Sequence, residues 1–172
     1  MQKIQKTART GFTLIEVILY VALLAIVLTG VVAVAWDMIY AQVRARTQQE
    51  LAHQLRFAAE RIRYEIRNST TVTLVSATDI SLAQTDALRN PTVIRLTSGR
   101  LQIGWGSAGS CPSTNPCYLT SDAVTISDLT FSDLSAGTLK NIGFVMTGTT
   151  TGSHKEFQNT QTLQSAAQVL SN

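Results

Sequence analysis

Between Arg9 and Asp37 the chain carries a single charged side chain, Glu16, and no proline occurs before Pro91. Nothing in the first ninety residues therefore forces a helix to stop. Cysteine and histidine are equally sparse, with two of each in 172 residues. Cys111 and Cys117 are neighbours within CPSTNPC, but with no histidine or further cysteine nearby a tetrahedral zinc is two ligands short. His53 and His154 stand alone, GxSxG is absent, and no Ser-Lys or Cys-His pairing is visible. These absences predict a protein that is not an enzyme and uses no cofactor or metal. An excess of basic charge is missing too, once position is considered. Of 14 Lys and Arg, three (Lys3, Lys6 and Arg9) precede Gly11, and the other 11 face 11 Asp and Glu. The formal charge of +3 belongs to the N-terminal tip, so the sequence gives a nucleic-acid partner no support.

What is present begins with apolar length. The 20 residues from Val17 to Trp36 are uncharged, and a hydrocarbon core of about 30 Å needs about 20 helical residues. Basic residues before the run and Asp37 after it predict a single-pass segment of the cytoplasmic membrane, N-terminus inside and the bulk of the chain outside. A cleaved secretory signal has a shorter apolar core followed by small residues, and that pattern is absent.

Helical periodicity continues beyond the apolar run. Leu51, Leu55, Ala58, Ile62 and Ile66 recur at three- and four-residue spacing and draw one apolar stripe. Arg44, Arg46, Arg56, Arg61, Arg63 and Arg67 lie mostly off it, with Glu50, Glu60 and Glu65 among them, which reads as a solvated, charge-laced face. One helix from Phe12 to Asn68 would reach about 85 Å at 1.5 Å per residue, too long for one core. It must pack in two environments, first lipid or partner helices and then a domain. Gly30, beside Thr29, is the candidate weak point of its apolar half.

After Asn68 the composition turns to Ser, Thr, Gly and β-branched residues. Strands are predicted at 71–77, 79–83, 92–97, 100–105, 123–134, 139–148 and 156–170, with Thr97-Ser98-Gly99-Arg100 as a short hairpin turn. The last segment also suits a short helix, and an edge strand is favoured. The expected fold class is α+β, with a long N-terminal helix packed on a C-terminal antiparallel β-sheet domain. The expected organisation is a basic leader at 1–11, a membrane or filament-core helix at 12–36, its amphipathic continuation at 37–68, and a β-rich head at 69–172.

Two local patterns allow alternatives. Gly104, Gly106 and Gly109 satisfy GxGxxG, but Cys111, Pro112 and Pro116 follow where a phosphate-binding helix should open, so a glycine-rich loop is the reading. Cys111 and Cys117 suit a disulfide in an oxidising compartment, since Pro112 and Pro116 favour a tight turn; two reduced cysteines in a loop are the alternative.

The stretch GFTLIEVILYVALLAIV, after a short leader with Lys3, Lys6 and Arg9, closely resembles the N-terminal signature of type IV pilins and the pseudopilins of type II secretion systems. The resemblance covers about residues 3–35. It implies that a prepilin peptidase cuts between Gly11 and Phe12 and N-methylates Phe12, and that Glu16 matches the family's glutamate. Implied partners are that peptidase, other pilin subunits and a membrane assembly platform driven by a cytoplasmic ATPase. Two departures lean toward a minor pilin or pseudopilin: the apolar half has no proline, and the cysteine pair encloses only five residues well before the C-terminus.

Physical chemistry gives Glu16 an independent reason. An ionised carboxylate in hydrocarbon costs about 2.5–3.5 kcal/mol. Cleavage after Gly11 would create a positive amine at Phe12, one helical turn before Glu16, and that amine or a neighbour's would compensate it. Such a pair sets register between staggered helices because a missing partner is heavily penalised. Snorkelling to the nearby interface is the alternative. The expected function is a structural filament subunit of a pilus or secretion-type filament. The alternative is a filament-tip module binding DNA, surfaces or secreted substrate, which an exposed basic or aromatic patch around Arg100, Trp105 and Tyr118 would favour; Trp105 is expected in the core.

Overall fold

The computed structural model describes residues 11, 13–111, 117–137, 139–150 and 158–170. Helix α1 (Leu14–Arg67) is followed by β1 (Ser69–Leu74), β2 (Asp79–Gln84), a 3₁₀ turn at Ala87–Arg89, β3 (Thr92–Thr97), β4 (Arg100–Trp105), β5 (Val124–Asp133), β6 (Asn141–Thr150) and β7 (Thr160–Gln168). The chain divides between Val43 and Arg44 into two compact units.

The first unit contains the apolar half of α1. The helix is unbroken through Gly30, where the Thr29 hydroxyl donates to the Ala25 carbonyl at 2.8 Å and so has a partner within its own helix.

The second unit is an α+β head. Its strands form two antiparallel sheets rather than one, β1-β2-β3-β4 and β5-β6-β7. The final segment is a strand, β7, on the edge of the second sheet. The β3–β4 connection is the expected two-residue turn, with Ser98 at φ 51° and Gly99 at φ 74°. Two positive φ values match the twist of a tight hairpin, which glycine accepts without strain.

One hydrophobic core joins helix and sheets. Leu51, Leu55, Ala58, Ile62 and Ile66, the stripe visible in the sequence, are buried with Ile80, Leu82, Ile94, Leu101 and Ile103 of the first sheet. Ile126, Leu129, Phe131, Ile142, Phe144 and Met146 of the second sheet complete it. Along β5 the buried positions change parity, from Val124 and Ile126 to Leu129 and Phe131. A register shift between Ile126 and Asp128 produces the change, because one extra residue turns the following side chains to the opposite face. On β6, a Cβ at Gly148 would lie 2.9 Å from Leu55 Cδ2 and 3.2 Å from Leu51 Cδ1, so the missing side chain lets helix and strand approach.

The charged face of the helix departs from expectation at one residue. Glu65 is fully buried rather than solvated. It follows Ala58 by seven residues and therefore falls on the buried stripe. Arg61 and Arg89 approach its carboxylate at 2.8 and 2.6 Å, and Gln84 Nε2 donates to it at 3.3 Å. Two cations and an amide thus replace the water that a buried carboxylate loses.

Candidate functional site

The N-terminal signature is built on the start of α1. Val17 and Glu16 donate their backbone N–H groups to the Thr13 carbonyl at 3.3 and 3.1 Å, closing the first turn. Glu16 lies in that turn and is half-buried. A carboxylate is favourable there, since unsatisfied N–H groups give a helix start partial positive charge. Gly11 is exposed, and an added Cβ would meet nothing within 4 Å. Phe12, the expected methylated terminus, lies outside the described residues, as do residues 1–10, Pro112, Pro116 and His154.

From Leu14 to Val43 the large apolar side chains are exposed, between 41% at Val43 and 79% at Leu14. Those values cover successive positions, so the helix presents exposed apolar side chains on every side. An all-round apolar helix of this length suits lipid or other helices rather than water. Trp36 and Tyr40, one turn apart with ring centroids 6.4 Å from each other, precede Arg44 and Arg46. Aromatic rings followed by cations are the side chains that settle at a membrane–water boundary.

In the head, Cys111 and Cys117 are joined by a disulfide, and Gln102 Nε2 lies 3.4 and 3.2 Å from their sulfurs. The chain leaving Cys117 pairs with β4: Ile103 N–H donates to the Cys117 carbonyl and Leu119 N–H to the Leu101 carbonyl, both at 2.8 Å. The glycine-rich stretch before it closes on itself as a turn. Trp105 and Ser110 exchange backbone hydrogen bonds of 2.8 and 2.9 Å, and the described residues up to Cys111 open no helix there.

The three residues considered as a surface patch separate into two places. Trp105 is half-buried beneath Arg89, whose guanidinium carbon lies 5.5 Å from its ring centroid. Arg100 occupies the opposite end of β4, about 17 Å away at strand spacing. Its guanidinium stacks on Tyr118 at 4.0 Å, donates to the Thr120 carbonyl at 2.9 Å and pairs with Asp122 at 2.7 Å. Beside it, His53, Phe57, Tyr118 and Ser121 line an open cavity of about 410 Å³. Sequence reasoning missed His53 and Phe57 in this role. Their four-residue spacing placed them on one helix face, but only the fold brings residues 118–121 opposite. Among the described residues, no three metal-ligating side chains come together.

Residues 6–32 match the family model described as the prokaryotic N-terminal methylation motif. This is the type IV prepilin-like signature, and the long apolar helix fits a membrane anchor of that kind. The motif marks pilin-like structural proteins, which are not enzymes, and it implies processing by a peptidase and assembly with other pilins. No curated protein and no solved structure matches the chain.

Proposed function

We propose that this chain is a minor pilin or pseudopilin, anchored in the cytoplasmic membrane with its N-terminus inside until it enters a filament. One observation carries the reading: the methylation motif at residues 6–32 coincides with a helix whose apolar side chains are exposed on every side. Cleavage after Gly11 leaves Phe12 as an N-methylated, positively charged terminus one helical turn from Glu16. The amine of the same or a neighbouring chain then neutralises Glu16, and because an unpaired charge in hydrocarbon is costly, the pairing selects one axial stagger between helices. The apolar helix exchanges lipid for the helices of other subunits, and the head faces outward. An assembly platform and its ATPase supply the work of extraction. Intact mass of the mature chain tests this directly. A chain beginning at N-methylated Phe12 supports the reading, and one that retains residues 1–11 or begins elsewhere overturns it.

A second reading, a ligand-binding head at a filament tip, is favoured by the cavity lined by His53, Phe57, Tyr118 and Ser121. Asp122 matches the charge of Arg100 at 2.7 Å, so the site presents stacking surface without net positive charge. That chemistry suits an uncharged ring-bearing ligand better than the phosphates of DNA. Tyr118→Ala would then abolish binding to a surface or secreted substrate while leaving filament number unchanged; unchanged binding would remove this reading.

A further inference from the structure

The two sheets of the head have four outer edges, and they are guarded unequally. The edge of β4 is covered by the chain after Cys117, through the Ile103 and Leu119 hydrogen bonds. That of β5 carries a bulge after Ile126 and is met by two hairpin turns, with Ile126 N–H donating to Gly99 and Phe131 N–H to Ala77, both at 2.7 Å. The six-residue β1 has a register shift between Ser69 and Thr71. By contrast, β7 runs nine residues in uninterrupted register with β6.

The direction of its free groups follows from the ends of the ladder. The Asn159 carbonyl accepts from Thr150 N–H at 3.0 Å, and Val169 N–H donates to Lys140 at 2.9 Å. Odd-numbered residues therefore make the hydrogen bonds to β6, and even-numbered ones direct N–H and C=O to the opposite edge. Leu170 confirms the direction, since its N–H reaches the Arg67 carbonyl at 3.2 Å. The backbone groups of Thr160, Thr162, Gln164, Ala166 and Gln168 have no such partner among the described residues. The usual guards of an exposed edge are lysine, proline, a bulge or a covering loop. Residues 158–170 contain neither charge nor proline, and β7 has no bulge.

We infer that β7 is an assembly edge, to which β7 of a second copy of this chain adds as a further strand. A copy fits because the edge is uncharged, so two identical strands meet without repulsion, whereas a partner chosen by charge would find nothing to recognise. Gln164 is the midpoint of Thr160–Gln168. In a two-fold antiparallel pair it faces its counterpart, with Thr162 of one copy opposite Ala166 of the other, so the even-numbered residues of both strands exchange hydrogen bonds, and each Gln164 amide both donates and accepts. Among the described residues each chain has one such edge, so the pairing closes at two copies instead of propagating. The inference deepens the pilin-like reading only in that copies must meet in one membrane or filament; cleavage after Gly11 plays no part in the edge.

Cysteine cross-linking of the full chain in detergent, with the native disulfide intact, tests the edge. Gln164→Cys is compared with Asp128→Cys, an exposed position on β5. At least tenfold more cross-linked dimer is expected from Gln164→Cys under mild oxidation, and equal yields would overturn the inference. Gln164→Lys and Gln164→Glu provide the charge test, read from a cross-link between Thr162→Cys of one copy and Ala166→Cys of the other, both substitutions carried in each background because these positions face each other across the pair. Each charged chain alone should lose the dimer and the mixture regain it; retention by the Lys chain alone would also overturn it. The two readings fail separately. Absent cross-linking in a chain that begins at N-methylated Phe12 defeats the edge alone, whereas cross-linking in a chain that keeps residues 1–11 defeats the pilin reading alone.

Discussion

Arg89 Nη2 lies 2.6 Å from one carboxylate oxygen of Glu65 and 2.7 Å from the other, although 24 residues separate them. The contact fastens the link between β2 and β3 to the last turns of α1. Arg61 reaches the same carboxylate from one turn away at 2.8 Å, and the glutamate side chain is fully enclosed while both arginines keep partial access to water. Most of the cost of breaking the cluster therefore falls on whichever change strands the carboxylate.

Arg89→Ala should destabilise the head by about 3 kcal/mol, the lower end for an interrupted buried pair, because Arg61 still contacts Glu65. Glu65→Met, which removes the buried charge and fills its space, should cost less than Arg89→Ala. Urea unfolding followed by tryptophan fluorescence compares them, since Trp105 lies beneath Arg89. A larger loss for Glu65→Met would mean that the ion pair itself, rather than avoidance of an unpaired charge, holds the helix end.

Glu16→Ala should leave membrane insertion intact and impair assembly. Removing a carboxylate from an apolar helix makes insertion easier, not harder, so loss of anchoring cannot explain fewer filaments. Membrane fractionation and filament counts from the same cells check both halves. An unaltered filament yield would remove the registry role.

Gly148→Val should lower stability by about 1–3 kcal/mol through overpacking. A Cβ there would already stand 2.9 Å from Leu55 Cδ2, and Leu51 and Leu55 are fully enclosed. The unfolding midpoint is the measurement, and Leu55→Ala in the same chain should recover part of the loss by opening space.

Asp133 should titrate below the ordinary aspartate range. The Ser135 hydroxyl is the main cause, its backbone N–H at 2.9 Å adds to it, slight shielding from water opposes them, and Lys140 contributes a weaker attraction. Because the folded-state pKa is depressed, the stabilisation is complete above the unfolded value of about 3.9 and is lost as pH falls through the folded value. Carboxyl chemical shifts against pH follow the group directly. Ser135→Ala should move the midpoint upward, and an unmoved midpoint would refute the assignment.

Secondary structure is largely legible in the sequence. The stripe from Leu51 to Ile66 and the alternation in residues 92–97 and 129–132 state which side chains turn inward, since helix and strand periods differ. Glu65 was legible in part, because its seven-residue spacing from Ala58 places it on the stripe. Its chemistry suggested solvent instead, and the partner that makes burial tolerable comes from a separate turn. The division into two sheets was not legible, because local patterning marks a strand without naming its neighbours.

The N-terminal signature and the apolar run were set by the sequence alone, since they depend on residue identity and spacing along one helix. The stacking of Arg100 on Tyr118 and its union with His53 and Phe57 were decided by tertiary structure, as was the outer edge of β7, whose even-numbered backbone groups have no partner among the described residues. A hydrogen-bonding edge is free or covered according to what else packs there. Backbone groups are the same for every residue, so no side-chain pattern records which of them the fold leaves without a partner.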